Sequence, residues 1–465
     1  MSVSRWLSCA ALLVLGLGMS SAADQAPEVP GDDPALVALV EEALVRNPDI
    51  QGAQEAVRAA RNRPTQARSL ANPMLSVGYT NDGWRPTLGT QDMTTLAFMG
   101  AQDLPYPGKR RLRGEIAERE ADQVEQQLQR VRLGIEARVK RAYYGLVLTR
   151  DLLELIREQE EIWKQIEGVA RARYVVGQGA QQDVLRVQIE VTRIEQLRTE
   201  QQAEAEIRLA ELNRLLDRPA AAPLETPTRL DLRPEQEALE AVLPALEAIS
   251  PEIKAAALAV ERDRLGVELA RKEFKPDFSV QGGYMNRGGL DPMWQAGVGV
   301  SFPFYRKRLS AGLAEAEARR GASERAAASA RLQLRFRTQE RLSQLRATRR
   351  VAELYGGGVI PQDRMSVDAA IANYQTGKVP FIAVLEALTT LYNDRATHLG
   401  LLANQERIRA SLQEASLEET SGMSSAGAAG MGAVGGSSLT MAGAGAGATG
   451  GSGAMGGSGS SMSNR

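Results

Sequence analysis

One imidazole and one thiol, His398 and Cys9, are all that the 465 residues offer. A zinc site needs three or four such ligands and a cysteine nucleophile needs its histidine, so both chemistries are excluded by count. No other nucleophile and base stand at motif spacing, and no residue is assigned to catalysis, to a cofactor or to a resident metal. The 56 Lys+Arg against 57 Asp+Glu balance, which leaves no basic field for nucleic acid. Two groups of charges stand out by position. Lys109, Arg110, Arg111 and Arg113, and then Arg306, Lys307 and Arg308, each open a long helical stretch. Cations there oppose the helix dipole, so an anionic partner is expected. Inner-leaflet phosphates are the functional candidate for Lys109, Arg110, Lys307 and Arg308, and a solvated first turn is the bland alternative.

The elements that carry these charges occur twice, about 200 residues apart. Asn47-Pro48-Asp49-Ile50 answers to Ser250-Pro251-Glu252-Ile253, and Ala71 to Val77 answers to Phe274 to Val280. Leu104-Pro105-Tyr106 with Lys109-Arg110 matches Phe302-Pro303-Phe304 with Lys307-Arg308. Tyr174, Gly177, Val184 and Leu185 match Tyr374, Gly377, Val384 and Leu385. Each half reads as helix, strand, strand, long helix, helix. The stretch from Gly108 to Val176 is helical and free of proline, roughly 100 Å at 1.5 Å per residue. Its apolar positions Val124, Leu128, Val131, Ile135, Val139, Ala142 and Leu146 follow an eleven-residue period, which predicts nearly straight packing. The first and third helices of each half together match the long one in length and are expected to stack end to end beside it. In the second half Gly356-Gly357-Gly358 and Pro361 predict a kink or bulge.

Leu75, Val77 and Tyr79 alternate with small or polar residues, as do Phe278, Val280 and Tyr284, and, over the longest run, Trp294, Ala296, Val298, Val300 and Phe302. Such alternation fits a membrane strand and equally a strand half-buried in a soluble sandwich. Aromatic residues at the strand ends (Tyr79, Tyr106, Tyr284, Trp294 and Phe302) favour the membrane, with Leu75, Val77, Tyr79, Val280, Tyr284, Trp294, Val298, Val300 and Phe302 facing lipid. Asn81–Asp92 and Asn286–Pro292 read as polar loops between strands. Four strands cannot close a membrane barrel, whose smallest form has about eight, so the chain is expected to oligomerise.

The domain reading follows from these boundaries. Residues 1–23 form a signal peptide, with Arg5, an apolar run and Ser21-Ala22-Ala23 as the cleavage site; this reading competes with lipidation at Cys9. Residues 24–216 are the first repeat, 217–249 a proline-rich connector, 250–416 the second repeat, and 417–465 a disordered Gly/Ser/Ala/Met tail. The tail methionines suit Cu(I) chemically, but their wide spacing favours plain low complexity.

Arg173-Tyr174-Val175-Val176-Gly177 with Asp183-Val184-Leu185, its echo Asn373 to Gly377 with Val384-Leu385-Glu386, and Leu104 to Arg110 together resemble the TolC-type outer membrane efflux family. The last segment looks most like the CzcC/CusC heavy-metal branch. The resemblance covers nearly all of the chain between signal and tail. It implies a mainly α fold with transmembrane β: a homotrimer whose twelve-stranded β-barrel lies in outer membrane lipid above a periplasmic α-helical barrel, with the connector equatorial. It further implies an exit duct without enzymatic activity, joined by a periplasmic membrane-fusion adaptor to an RND-type inner membrane pump. By residue, it implies that Gly177, Gly377 and the adjoining Lys378 lie at the adaptor-contacting tip. Asp183 and Tyr374 would form closed-state links, and Glu386 would narrow the pore. The arginine that some relatives use in closing falls on Val379, and a second acidic position falls on Ala383. Solvated surface charge is the alternative for these carboxylates. A drug or type I secretion channel, or a soluble periplasmic coiled-coil scaffold, remain competing functions.

Overall fold

The computed structural model describes residues 33–88, 91–224 and 239–415. The signal peptide, Cys9, the tail and the middle of the connector lie outside them. Helix α1 (Pro34–Arg46) starts where proline's fixed φ suits the first turn and the Asp33 carboxylate accepts from the Ala35 amide at 3.1 Å. Asn47 ends it and caps α2 (Pro48–Arg61), its side-chain oxygen accepting from the Asp49 amide at 3.0 Å. A short α3 (Arg63–Arg68) leads to strands β1 (Met74–Thr80) and β2 (Thr95–Leu104). Helix α4 (Lys109–Val175) then runs unbroken for 67 residues and α5 (Gln181–Leu215) returns along it.

The second repeat follows the same order. Helix α6 (Leu239–Ile249) ends the connector; then come α7 (Pro251–Lys272), β3 (Asp277–Arg287), β4 (Leu290–Ser301), α8 (Arg306–Leu354), a π turn (Tyr355–Val359), α9 (Ile360–Gln375) and α10 (Phe381–Gln413). The triple glycine thus appears as one widened helical turn. His398 of α10 lies there: a Cβ on Gly356 would come within 3.2 Å of its ring, so a larger residue would require the imidazole to shift by a few tenths of an ångström.

End-to-end stacking is pinned by one polar bond in each repeat. The Asn47 amide donates to the Leu215 carbonyl at 2.9 Å, and the Ser250 hydroxyl to the Ala415 carbonyl at 3.4 Å, both buried. Each bond satisfies a carbonyl at the end of the third helix from the residue that opens the second or its counterpart. Leu128, Ile135, Val139, Ala142 and Leu146, expected on one face of α4, are buried together against α1, α2 and α5. A second core joins α4 and α5 to α9 and α10 around Trp163, Val187, Tyr374, Phe381 and Leu388. It binds the two repeats into one body near the helical turns.

The strands form one antiparallel sheet in the order β1-β2-β3-β4. Pairing places Val77 beside Phe98, Phe98 beside Tyr284, and Tyr284 beside Trp294, an apolar row across all four strands. Leu75, Tyr79, Val280, Val298 and Val300 share that face by the period of two, and Phe302 continues its parity just past β4. The expected Asn286–Pro292 loop is corrected. Both strands continue through it, and only Gly288-Gly289 turns, Gly288 with φ +67°. Pro292 fits inside β4 because it lies at a register irregularity, between the Met285–Met293 and Arg287–Leu290 pairs, where the ladder is already interrupted.

Candidate functional site: the helical turns and the sheet junction

Helices α4 and α9 end in the same backbone motif. Gly177 donates to the Tyr174 carbonyl at 3.0 Å and Gln178 to that of Arg173 at 2.8 Å; Gly377 and Lys378 repeat this with Tyr374 and Asn373 at 3.0 and 2.9 Å. The paired bonds define a Schellman cap, which needs a left-handed residue. Gly177 and Gly377 supply it with φ of +75° and +76°. Tyr174, Val175, Val176, Gly177, Gly377 and Lys378 are exposed around these turns.

The side chains behind the two turns differ. Tyr374 is 4% exposed and its hydroxyl donates to Asp183 at 3.3 Å, so the expected pair is brought together across the two repeats. Burial raises the Tyr374 pKa above its ordinary value and the nearby Asp183 charge adds to this, while Arg173 opposes it. Phe381 packs edge-on against the ring, and Trp163 against Phe381. Arg173, quoted in the motif but given no role by the sequence, holds this arrangement from the far side. Its guanidinium lies 4.6 Å from the Tyr374 ring centroid, donates to the Tyr374 carbonyl, and donates to the Gln178 carbonyl at 2.9 Å. One residue of α4 thereby grips both turns. The signal that could have found it is the repeat itself, which pairs Arg173 with uncharged Asn373. Glu386 is exposed on α10 and makes no ion pair among the described residues. Val379, where relatives are expected to carry arginine, is partly buried against the shared core.

At the sheet junction the lipid-phosphate expectation for Lys109 is corrected. Its ammonium is 1% exposed, 3.1 Å from Glu273 and 2.9 Å from Asp277, whose other oxygen accepts the Tyr106 amide at 2.7 Å. The anion that a cation at this helix start requires is therefore supplied by the protein, from residues 164 and 168 positions away. Arg110 is half-buried and donates to the Arg68 carbonyl at 2.7 Å. Lys307 and Arg308 are exposed. Among the described residues no three His, Cys, Asp or Glu side chains converge as metal ligands, and no helix is long and apolar enough to cross a membrane.

A duplicated pair of long antiparallel coils, ending in glycine turns on one side and in a small sheet with an apolar face on the other, defines a protein of the outer membrane channel-tunnel class. The chain belongs to the outer membrane efflux protein family, whose model matches residues 39–217 and 242–416. It is 24% identical over 350 residues to the cobalt-zinc-cadmium resistance protein CzcC of Cupriavidus metallidurans, covering 72% of this chain and 79% of that one. Its fold is similar to that of the outer membrane protein VceC of Vibrio cholerae, with a TM-score of 0.70 and 20% identity over 82% of this chain and 95% of the other. It is similar also to CusC, a transmembrane channel, with a TM-score of 0.66 and 19% identity over 82% and 92% of the two chains.

Proposed function

We propose that the protein is the outer membrane exit duct of a tripartite efflux system, exporting heavy-metal cations delivered by an RND-type inner membrane pump through a periplasmic adaptor. The observation that carries the duct is the sheet. It has two unpaired edges, β1 and β4, and one apolar face on which Leu75, Val77, Trp294 and Val298 are 61–81% exposed. Open edges and an exposed apolar face are both costly in isolation, and three copies joined edge to edge remove both by closing a twelve-stranded barrel in lipid. The helical coils then form the periplasmic tunnel, with Gly177, Gly377 and Lys378 offered to the adaptor. The protein acts passively; the pump supplies the energy. The similarity to CzcC favours cobalt, zinc and cadmium as cargo.

Val298→Arg, on the apolar face, is expected to lose trimer assembly at a cost of roughly 2 to 4 kcal/mol, whereas Gln295→Arg, on the opposite face, assembles. Gly299 is a poor control, because a Cβ there would come within 2.4 Å of the Ser279 hydroxyl. Equal tolerance at 295 and 298, or a soluble monomer after fractionation, removes the sheet from the membrane and favours a scaffold. Deleting the gene should sensitise cells to cobalt, zinc or cadmium; sensitivity to drugs alone gives the duct a different cargo.

Three copies of Glu386 near the tunnel tip form an acidic ring that attracts cations. Glu386→Gln should lower cation selectivity and multivalent-cation block in single-channel recordings with trimer yield unchanged. Unchanged selectivity and block would make Glu386 a solvated surface charge.

A further inference from the structure

The sheet holds four methionines, one in each strand, and all four lie on the same face. Phe98, Tyr284 and Trp294 belong to the apolar row, and Met99, Met285 and Met293 are their neighbours in sequence, so the period of two puts the three methionines on the opposite face, with Met74. A methionine acting as an ordinary hydrophobe belongs with the leucines, valines and aromatics, and that face carries none. The thioethers stand instead among Ser76, Ala97, Gly283 and Gln295. Three of them converge. Met285 and Met293 are direct partners across β3 and β4, which sets their Cβ atoms about 5 Å apart. Met99 of β2 pairs with Gly283, two residues from Met285 and therefore diagonal to it, within reach of long side chains. The Met99 sulfur crosses over that glycine: a Cβ on Gly283 would overlap it, and the Gln295 amide of β4 donates to it at 3.0 Å. Gln295 is the residue next to Met293 on this face, so the Met99 thioether lies above β3 and points at the corner where Met285 and Met293 meet. Met74 takes no part, because it stands on the β1 side, from which Met99 turns away.

We propose that Met99, Met285 and Met293 form a three-thioether site for one soft monovalent cation, copper(I) or its heavier congener silver(I). Thioether sulfur is neutral and polarizable, and it selects such ions over zinc and cobalt, whose sites draw on thiolate, imidazole or carboxylate. Neither of the first two competes here: among the described residues the one imidazole, His398, is on α10, and there is no thiol. The site is built within a single copy. Only its position in a channel rests on the duct reading above, which turns this face toward the lumen and so adds soft monovalent ions to the cargo.

The test titrates the purified full chain with silver nitrate in chloride-free buffer. Calorimetry is expected to find one tight site per chain, and X-ray absorption at the silver edge, with less than one equivalent added, to find sulfur neighbours. The triple variant Met99→Leu, Met285→Leu and Met293→Leu nearly conserves volume. It should weaken the tight site by roughly tenfold or more, whereas Met74→Leu leaves it unchanged. A chain with Met423, Met431, Met441, Met455 and Met462 changed to leucine should keep the tight site, and zinc nitrate should not displace the silver. Undiminished binding in the triple variant, or loss of the tight site with the tail methionines, overturns the proposal. Met293→Leu alone, at an exposed position, stands in if the triple variant does not assemble: a several-fold loss supports the site, and an unchanged affinity overturns it. Single channels recorded in potassium nitrate then separate the site from the duct. Silver should block the native channel and spare the triple variant. Absence of tight binding overturns the site and leaves the duct reading standing, whereas tight binding at these methionines without any effect on the current keeps the site and overturns its place in the lumen.

Discussion

The first repeat and the second follow the same path and treat their charges in opposite ways. At the head of α4, Lys109 is sealed between Glu273 and Asp277; at the head of α8, Arg306, Lys307 and Arg308 stand in solvent. Helix α4 runs straight through 67 residues, while the matched stretch divides into α8, a π turn and α9. Backbone-determining residues are shared between the halves: the prolines that open α2 and α7, the glycines of both caps, the apolar strand positions. Side chains that carry charge are where the halves differ. Duplication thus supplies a symmetric frame, and the ionisable groups decide which half is braced internally and which is left to bend or to meet something else.

The largest expected contrast lies at the two helix starts. Lys109→Met leaves the Glu273 and Asp277 carboxylates without the cation that lies between them. Removing one partner of a fully buried pair costs roughly 3 to 5 kcal/mol, but both carboxylates are 41% exposed, so about 2 kcal/mol is the sounder expectation. Lys307→Met breaks no ion pair among the described residues and should stay within about 0.5 kcal/mol. Thermal unfolding of the two purified variants checks the contrast. Equal losses would mean that Lys307 has found an anion of its own in the assembled protein, which would sharpen the comparison by assigning that partner to a neighbouring copy or to lipid.

Much of this frame was legible in the residues alone, for identifiable reasons. The kink or bulge expected from three consecutive glycines and Pro361, which no regular helix favours, is the π turn, whereas the turns at Gly177 and Gly377 came through the family resemblance, with glycine's access to left-handed φ as the physical reason. The buried face of α4 followed from a period that only a straight helix satisfies. What stayed hidden was long-range and ionic. Nothing local announces that Lys109 will meet Glu273 and Asp277, because the partners are distant in sequence and the cationic cluster around Lys109 looks like that around Lys307. Arg173 escaped for a related reason: its partners are a carbonyl and an aromatic face on the other repeat, neither of which leaves a charge pattern in the sequence. The β3–β4 pair was expected, but its tight turn was not, because Pro292 reads as a breaker unless it is known to fall at an irregularity in the register.

A smaller contrast separates the two caps. Gly177→Ala and Gly377→Ala both force an L-residue into left-handed φ, costing about 1 to 2 kcal/mol each. The sites are not equivalent in space. A Cβ at 177 meets nothing within 4 Å, whereas one at 377 comes within 3.4 Å of the Arg173 guanidinium. Amide hydrogen exchange should therefore quicken around residue 177 alone in the first variant, and around both 377 and 173 in the second. Identical, strictly local changes would show that the guanidinium yields freely and that the two caps are independent.

The smallest expected effect is a pH dependence confined to the second repeat. His398 packs on Gly356 at the π turn and hydrogen-bonds the Ala352 carbonyl, and burial holds its pKa below the ordinary 6.5, the hydrogen bond opposing only in part. Its Nδ1 is buried without a partner, so the second proton of the imidazolium has nowhere favourable to go. Because the folded pKa is depressed, the stabilisation is fully present above pH 6.5 and is lost as pH falls through the lower folded value. The matched position in the first repeat, Arg198, ion-pairs with Glu195 at 2.6 Å and does not titrate in this range. Exchange protection across residues 352–363, corrected for the intrinsic pH effect on exchange, should weaken on acidification below pH 6.5 while the matched stretch of α4 holds steady. In His398→Gln the acid-dependent part should vanish, because an amide can still reach the Ala352 carbonyl but takes up no proton. An unchanged pH profile in that variant would move the titrating group elsewhere and leave the π turn as a purely geometric difference between the halves.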